Sequence, residues 1–109
     1  MIRVTAIYTN AEGMRFDHAY YQRVHLPLTE RLMRPLGLLW VEGDRPVPRH
    51  DGQPSTLLAQ THAYFATEEQ ARAAVAATIR ELGADVPNYT NVTPRLECHE
   101  VFKIEPHGH

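Results

Sequence analysis

The feature that most constrains the fold is the order of helix-type and strand-type patterns of apolar residues along the chain. Apolar side chains recur at helical spacing in two segments, which begin at Asp17 and at Thr67. Four segments rich in β-branched and aromatic residues surround them, at 2–9, 38–43, 56–65 and 95–104. The order β-α-β-β-α-β, with short right-handed connections, predicts a ferredoxin-like α+β fold. We expect one four-stranded antiparallel sheet with both helices on one face.

Length, charge and cysteine content restrict the class of protein. The 109 residues suffice for one domain, which we place at 1–105, with 106–109 as a flexible tail. A net charge of -2 gives no basic surface for nucleic acid. Cys98 is the one cysteine and forms no internal disulfide, which fits a cytoplasmic protein. We expect no membrane span and, since a strand pattern starts at once, no signal peptide.

The first helix is predicted to begin at the N-cap Asp17 and to run to about residue 34. Its apolar stripe is expected to consist of Tyr21, Val24, Leu28 and Leu32. Pro27 lies inside this helix, and because proline has no amide hydrogen, we expect a kink there.

The second helix carries the strongest helical pattern of the chain. Thr67 is the expected N-cap of a capping box, and Gly83 is the expected C-terminal stop. The predicted buried stripe consists of Ala71, Val75, Ile79 and Leu82.

The distribution of apolar residues in the strands predicts which faces of the sheet are covered. The first and third strands carry apolar residues on both faces, so the face away from the helices also needs cover. We therefore expect a homodimer that packs through this open sheet face. In the last strand Leu96, Cys98, Phe102 and Ile104 share the apolar face, which predicts an inert, buried thiol.

A signature in the first helix points to a family. The run from Phe16 to Leu28 resembles the F-D-x-x-Y-Y-x-x-x-H-x-P-L pattern of EthD-like proteins, which belong to the dimeric α/β-barrel superfamily. Two further runs are similar to that family, His62–Phe65 at the end of the third strand and Asp85–Thr90 before the last strand. The resemblance implies the ferredoxin-like fold and a dimer. Founding members are associated with bacterial degradation of ethyl tert-butyl ether.

His25 is the expected catalytic residue. Its imidazole titrates near neutrality, and it lies one turn from Tyr21 on the face that points toward the sheet. Tyr21 would donate a hydrogen bond to a substrate carbonyl or orient His25. The alternative is a buried structural histidine beside a core tyrosine whose hydroxyl is satisfied.

Five further residues are expected to bind substrate. His62 and Tyr64 share one strand face and either line a pocket or form a polar seam of the dimer. Trp40 is predicted as a pocket wall, an interface anchor or a core residue. Asn88 and Tyr89 precede the last strand and would cover a pocket mouth, unless they only serve the turn.

No metal or cofactor is predicted. The histidines have no ligand spacing: His18 and His25 share a helix face but lie about 10.5 Å apart. The sequence also lacks a glycine-rich phosphate loop. Because relatives in the superfamily include haem proteins, haem on His25 is the alternative.

These features predict a cofactor-free enzyme that binds a small hydrophobic ring or carbonyl compound. His25 would transfer a proton, in an isomerase, cyclase or lyase reaction or in a monooxygenase reaction without cofactor. The alternative is a non-catalytic accessory protein that binds the same kind of molecule for a degradation or biosynthetic pathway.

Overall fold

A computed structural model of the protein describes residues 1–107. The strands are β1 (Ile2–Thr9), β2 (Leu38–Asp44), β3 (Leu57–Phe65) and β4 (Arg95–Glu100). The helices are α1 (His18–Tyr20), α2 (Leu26–Met33) and α3 (Glu68–Asp85), with a π-helical turn over Tyr21–His25 and 3-10 turns over Arg34–Leu36 and Val86–Asn88. The predicted order of strands and helices is confirmed. Of the predicted tail, residues 108–109 lie outside the described residues.

The four strands form one antiparallel sheet in the order β2-β3-β1-β4. The first and third strands are central, and β2 and β4 are the edges. Helix α2 packs on the β2 side of one face, and α3 packs over the central strands. This is the predicted ferredoxin-like arrangement. No helix among residues 1–107 is long and apolar enough to cross a bilayer.

The first helix contains an irregularity that changes its buried face. Helices α1 and α2 are joined without a break by the π-helical turn, in which the amide of Leu26 bonds to the carbonyl of Tyr21. The buried residues consequently lie four apart, at Tyr21, His25, Thr29 and Met33. Val24, which was predicted in the apolar stripe, is exposed. The kink expected at Pro27 stays a prediction; the irregularity of this helix is the π-helical turn, which ends two residues before the proline.

Helix α3 buries most of the predicted stripe: Ala71 is buried, and Val75 and Leu82 are partly buried against the core. Its fully buried residues are the small side chains of Ala71, Ala74 and Thr78, because the helix lies close to the sheet. Ile79 is half-exposed. The helix passes the expected stop at Gly83 and ends at Asp85. The cap at Thr67 is confirmed, since its hydroxyl accepts from the amide of Gln70 at 3.2 Å.

Strand β4 is shorter than predicted because its neighbour ends. Ile2 pairs with Glu100, and the last bond joins the amide of Val101 to the carbonyl of Met1. Beyond that point no strand lies alongside, and Phe102 and Ile104 are 79% and 84% exposed. Cys98, which was expected to be buried, is exposed because the helices do not cover this edge strand.

The face of the sheet away from the helices is more polar than expected. Residues directly opposite on neighbouring strands share a face, and the register places seven ionisable residues together on this one: Arg3, Glu42, Asp44, His62, Arg95, Glu97 and His99. The expectation of an apolar open face is therefore wrong. The apolar side chains of β1 and β3 mostly face the helices instead.

Two buried clusters occupy the space between helices and sheet. One is aliphatic around Phe65, with Met33, Ala63, Ala71 and Ala74. The other is aromatic and contains Tyr8, Tyr21 and Tyr89. The aromatic cluster surrounds the one buried histidine of the described chain, His25.

Gly43 provides a specific test of how closely the first helix approaches β2. A Cβ at this position would lie 2.5 Å from Leu26 Cδ1 and 3.2 Å from the Tyr21 hydroxyl. We expect Gly43→Ala to destabilise the protein by about 1–3 kcal/mol, because the neighbours must move. Gly83→Ala is the control, since a Cβ there has no neighbour within 4 Å and replaces a helical glycine. Urea denaturation should show the control at equal or higher stability; two equal losses would contradict the close approach.

Candidate functional site

His25 is paired with a carboxylate from the other helix. Its Nδ1 lies 2.9 Å from Oδ2 of Asp85, the last residue of α3. The π-helical turn points His25 inward, and its side chain is only 5% exposed. Among the described residues no group bonds to the second ring nitrogen, Nε2. The pair therefore leaves one nitrogen of a buried imidazole available to a ligand.

Asp85 is held by further donors. The hydroxyl of Tyr20 donates to Oδ1 of Asp85 at 2.6 Å, and the amide of Asn88 donates to the same oxygen at 2.9 Å. Burial raises the pKa of Asp85, but these donors and His25 together outweigh it and lower the pKa below its ordinary value. The carboxylate stays ionised at neutral pH and accepts a hydrogen bond from Nδ1–H of His25.

The environment keeps His25 neutral. Burial lowers its pKa below the ordinary value of 6.5, although the bond to Asp85 and its charge act in the opposite direction. A neutral imidazole whose Nδ1–H is bound to a carboxylate presents the lone pair of Nε2. This arrangement gives the ring the properties of a general base.

The hydroxyl groups of the tyrosines around His25 form hydrogen bonds within the protein. Tyr21 donates to the carbonyl of Gln60 at 2.8 Å, and its ring stacks beside His25. The hydroxyls of Tyr8 and Tyr89 bond to each other at 2.6 Å, and the Tyr89 ring lies 4.6 Å from His25. Burial raises the pKa of Tyr8, Tyr21 and Tyr89, so all three phenols remain protonated.

A cavity of about 100 Å³ adjoins the histidine between the helices and the sheet. It is lined mainly by aliphatic side chains of β1 and α3, with Val4, Ala6, Val75 and Leu82 among them. For comparison, a cavity of about 150 Å³ accommodates benzene. The space in this conformation is therefore small, apolar and provided with one basic nitrogen.

The structure brings together four of the seven predicted site residues. Tyr21, His25, Asn88 and Tyr89 meet around Asp85. The remaining three lie on the open face, where they form their own polar cluster.

On that face the Trp40 ring stacks on Tyr64 at 4.3 Å, and His62 lies 2.8 Å from Asp44. Trp40 is 42% exposed, so the option of a core residue is wrong. A role of these three in substrate binding stays a prediction.

Sequence reasoning missed Asp85 as the partner of His25. The residue stands at the start of the Asp85–Thr90 run, which gives a signal, but the two partners are 60 positions apart. Only the packing of α3 against the first helix shows that they meet.

Neither a metal nor haem fits this site. Among residues 1–107 no three His, Cys, Asp or Glu side chains come together as metal ligands. The cavity beside His25 is about 100 Å³, whereas sites for drug-sized ligands span roughly 300–1,000 Å³. A haem macrocycle does not fit in it.

Comparison with known proteins supports the resemblance seen in the signature. An EthD-like protein from Ralstonia eutropha JMP134 has a similar crystal structure, with a TM-score of 0.84, 28% identity and coverage of 95% of this chain and 94% of that one. An ethyl tert-butyl ether D (EthD) family protein from Bacillus halodurans C-125 shares the fold, with a TM-score of 0.71, 22% identity and coverage of 94% and 99%.

A protein from Arabidopsis thaliana also shares the fold, with a TM-score of 0.66, 6% identity and coverage of 97% and 100%. No family model and no curated protein matches the chain. The signature, the fold and the coverage agree, and they confirm over nearly the whole chain the predicted resemblance to EthD-like proteins.

Proposed function

We propose that this protein is a cofactor-free enzyme that moves a proton on a small hydrophobic ring or carbonyl compound. The observation that carries the proposal is the His25–Asp85 pair: His25 lines an apolar cavity, and its Nε2 has no hydrogen-bond partner among the described residues. A neutral, buried imidazole oriented by a carboxylate is suited to remove a proton at neutral pH.

In the reaction we propose, Nε2 takes a proton from a carbon next to a carbonyl or from a phenolic or enolic hydroxyl. The C–H or O–H electron pair stays on the substrate as an enolate or phenolate. The imidazolium formed on His25 is stabilised by the Asp85 carboxylate at 2.9 Å. Return of the proton to another atom completes an isomerisation. In a cyclisation the enolate carbon attacks a second carbonyl of the same molecule, and the oxygen of that carbonyl then takes the proton from the imidazolium.

One observation favours the alternative, an accessory protein that binds such a compound without converting it. The hydroxyl groups of Tyr8, Tyr21 and Tyr89 are engaged with one another, with Thr61 or with a backbone carbonyl. A substrate oxyanion would need one of these donors to turn toward it. Binding alone would require no such rearrangement.

The two functions are separated by incubating the protein with a set of lactones and aromatic polyketides and following both binding and conversion. The enzyme proposal expects at least one compound to be converted, with deuterium from the solvent incorporated at the reacting carbon. Compounds that bind without conversion or deuterium incorporation would favour the accessory protein.

We also propose that the chain forms a homodimer through its open face. The charges on that face are arranged unevenly: β2 contributes Glu42 and Asp44, whereas β1 contributes Arg3, and β4 contributes Arg95 beside Glu97. A two-fold rotation about an axis parallel to the strands packs one such face on another and brings the acidic edge of each copy over the side of its partner that carries the two arginines.

Sedimentation at micromolar concentration is expected to show a dimer that weakens with salt. Glu42→Lys should shift the equilibrium toward single chains, because it removes one of the acidic groups. Glu69→Lys changes the charge equally on the exposed side of α3 and is the control. Single chains of the unaltered protein at low salt, or equal effects of both variants, would contradict this interface.

A further inference from the structure

The cavity beside His25 adjoins a groove on the surface. The groove has a volume of about 300 Å³ and lies between α3 and the edge strand β4. Cavity and groove share Val4, Val75 and Leu96 as lining residues. At the far end of the groove lies the exposed Cys98.

The groove exists because the sheet is wider than the helix layer at this edge. Strand β4 has no helix over it, so Leu96 is 42% exposed although it points to the helix side. On the opposite wall α3 presents the small side chains of Ala71 and Ala76. An apolar trough therefore stays open along the strand.

The inner end has hydrogen-bonding groups without a charged side chain, whereas Arg72 and Glu97 are among the residues that line the groove. Nε2 of His25 has no partner among the described residues. The hydroxyls of Thr29 and Thr78 donate to carbonyls of their own helices, and those of Tyr8 and Thr61 bond to tyrosine hydroxyls. Among the described residues no Asp, Glu, Lys or Arg lines the cavity. A ligand head in this place finds one acceptor and no charge to neutralise a carboxylate or phosphate.

We propose that the ligand of this protein is an uncharged amphiphile, with a hydroxyl-bearing head at Nε2 of His25 and an apolar tail in the groove toward Cys98. This inference rests on the proposed function and specifies the shape and charge of its substrate. The cavity of about 100 Å³ is smaller than the roughly 150 Å³ that accommodates benzene, so it receives the hydroxyl end of the molecule, and a ring that carries this hydroxyl extends into the groove. An anionic head is excluded by the cost of burying an unpaired charge.

Phenol and its para-ethyl, para-butyl and para-hexyl derivatives test the proposal with calorimetry. Each buried methylene is worth about 0.8 kcal/mol, so affinity should rise about fourfold per added CH₂. The para-hexylbenzoate anion should bind at least about tenfold more weakly than para-hexylphenol. Cys98 is the single cysteine and reports on the groove: para-hexylphenol should slow its reaction with a thiol reagent, whereas phenol should not.

Two matched variants on α3 locate the tail. Ala76→Phe places a ring in the groove, whereas Ala77→Phe adds the same ring at an exposed position that does not line it. Ala76→Phe should reduce the affinity for para-hexylphenol to that for phenol, and Ala77→Phe should leave it unchanged.

The outcomes separate this inference from the proposed function. If phenol binds but chain length adds no affinity and Cys98 reacts at an unchanged rate, the tail site is wrong and the proton-transfer proposal stands. If the benzoate binds as well as the phenol, the neutral head is wrong. If no phenol binds, the inference is wrong as a whole, and proton transfer is then judged by the lactone and polyketide assay alone.

Discussion

Replacing His25 by alanine should reduce the turnover of any accepted substrate about 10²- to 10⁴-fold, the range typical for loss of a general base. The ring lies at the free end of a pair with Asp85 and adjoins the cavity, so no other described group takes over its role. The rate should be measured beside the circular dichroism spectrum and the melting temperature. A folded variant with unchanged turnover would contradict the mechanism.

The pH profile distinguishes the base from its positioning residue. Activity requires neutral His25, so kcat/KM should rise with pH through the pKa of this ring, which burial holds below 6.5. Asp85→Asn removes the carboxylate that raises this pKa, and the acidic limb should move to lower pH while the plateau falls. If the plateau of kcat/KM falls in Asp85→Asn but the acidic limb stays at the same pH, Asp85 has only a structural role. Asp51→Asn, on the exposed loop before β3, is the control for loss of one carboxylate.

Phe65→Ala should cause the largest loss of stability, about 3–5 kcal/mol. Its ring is fully buried at the end of β3 and packs with Met33, Ala63 and Ala74. Much of the free energy of unfolding of a small domain, about 5–15 kcal/mol, would then be lost.

The measurement is urea denaturation, in which the midpoint should fall while the slope of the free energy of unfolding against urea concentration stays unchanged. Phe102→Ala is the matched control, because this phenylalanine is 79% exposed and should change the stability by less than about 0.5 kcal/mol. If both variants lost a similar amount of free energy of unfolding, Phe65 would not be the centre of the aliphatic cluster.

The fold was predictable because its determinants are local. The strands and both N-caps are encoded in short runs, and Asp17 and Thr67 accept from the amides three residues later as expected. Features that depend on how neighbouring strands and helices pack were predicted less well. Strand β4 ends at Glu100 only because β1 begins at Ile2, and Cys98 is exposed only because α3 does not reach the edge of the sheet.

In the candidate site, too, the residues encoded in a short run were predicted and the contact between distant segments was not. His25 and Tyr21 were identified from the signature and lie together in the structure. Asp85 was missed because its contact with His25 joins the two helices across 60 positions. Val24 was placed in the core because a regular helical period was assumed, and the π-helical turn shifts the buried position to the next residue, His25.

The π-helical turn gives the first helix one place where the chain can vary in length. It contains one residue more than a regular turn needs. A relative that lacked the residue corresponding to Gln22 would have Tyr21 and His25 three positions apart, and in a regular helix this spacing still places both on one face. Single-residue insertions and deletions in the first helix of relatives should therefore concentrate at this turn, and longer ones in the exposed connection between β2 and β3.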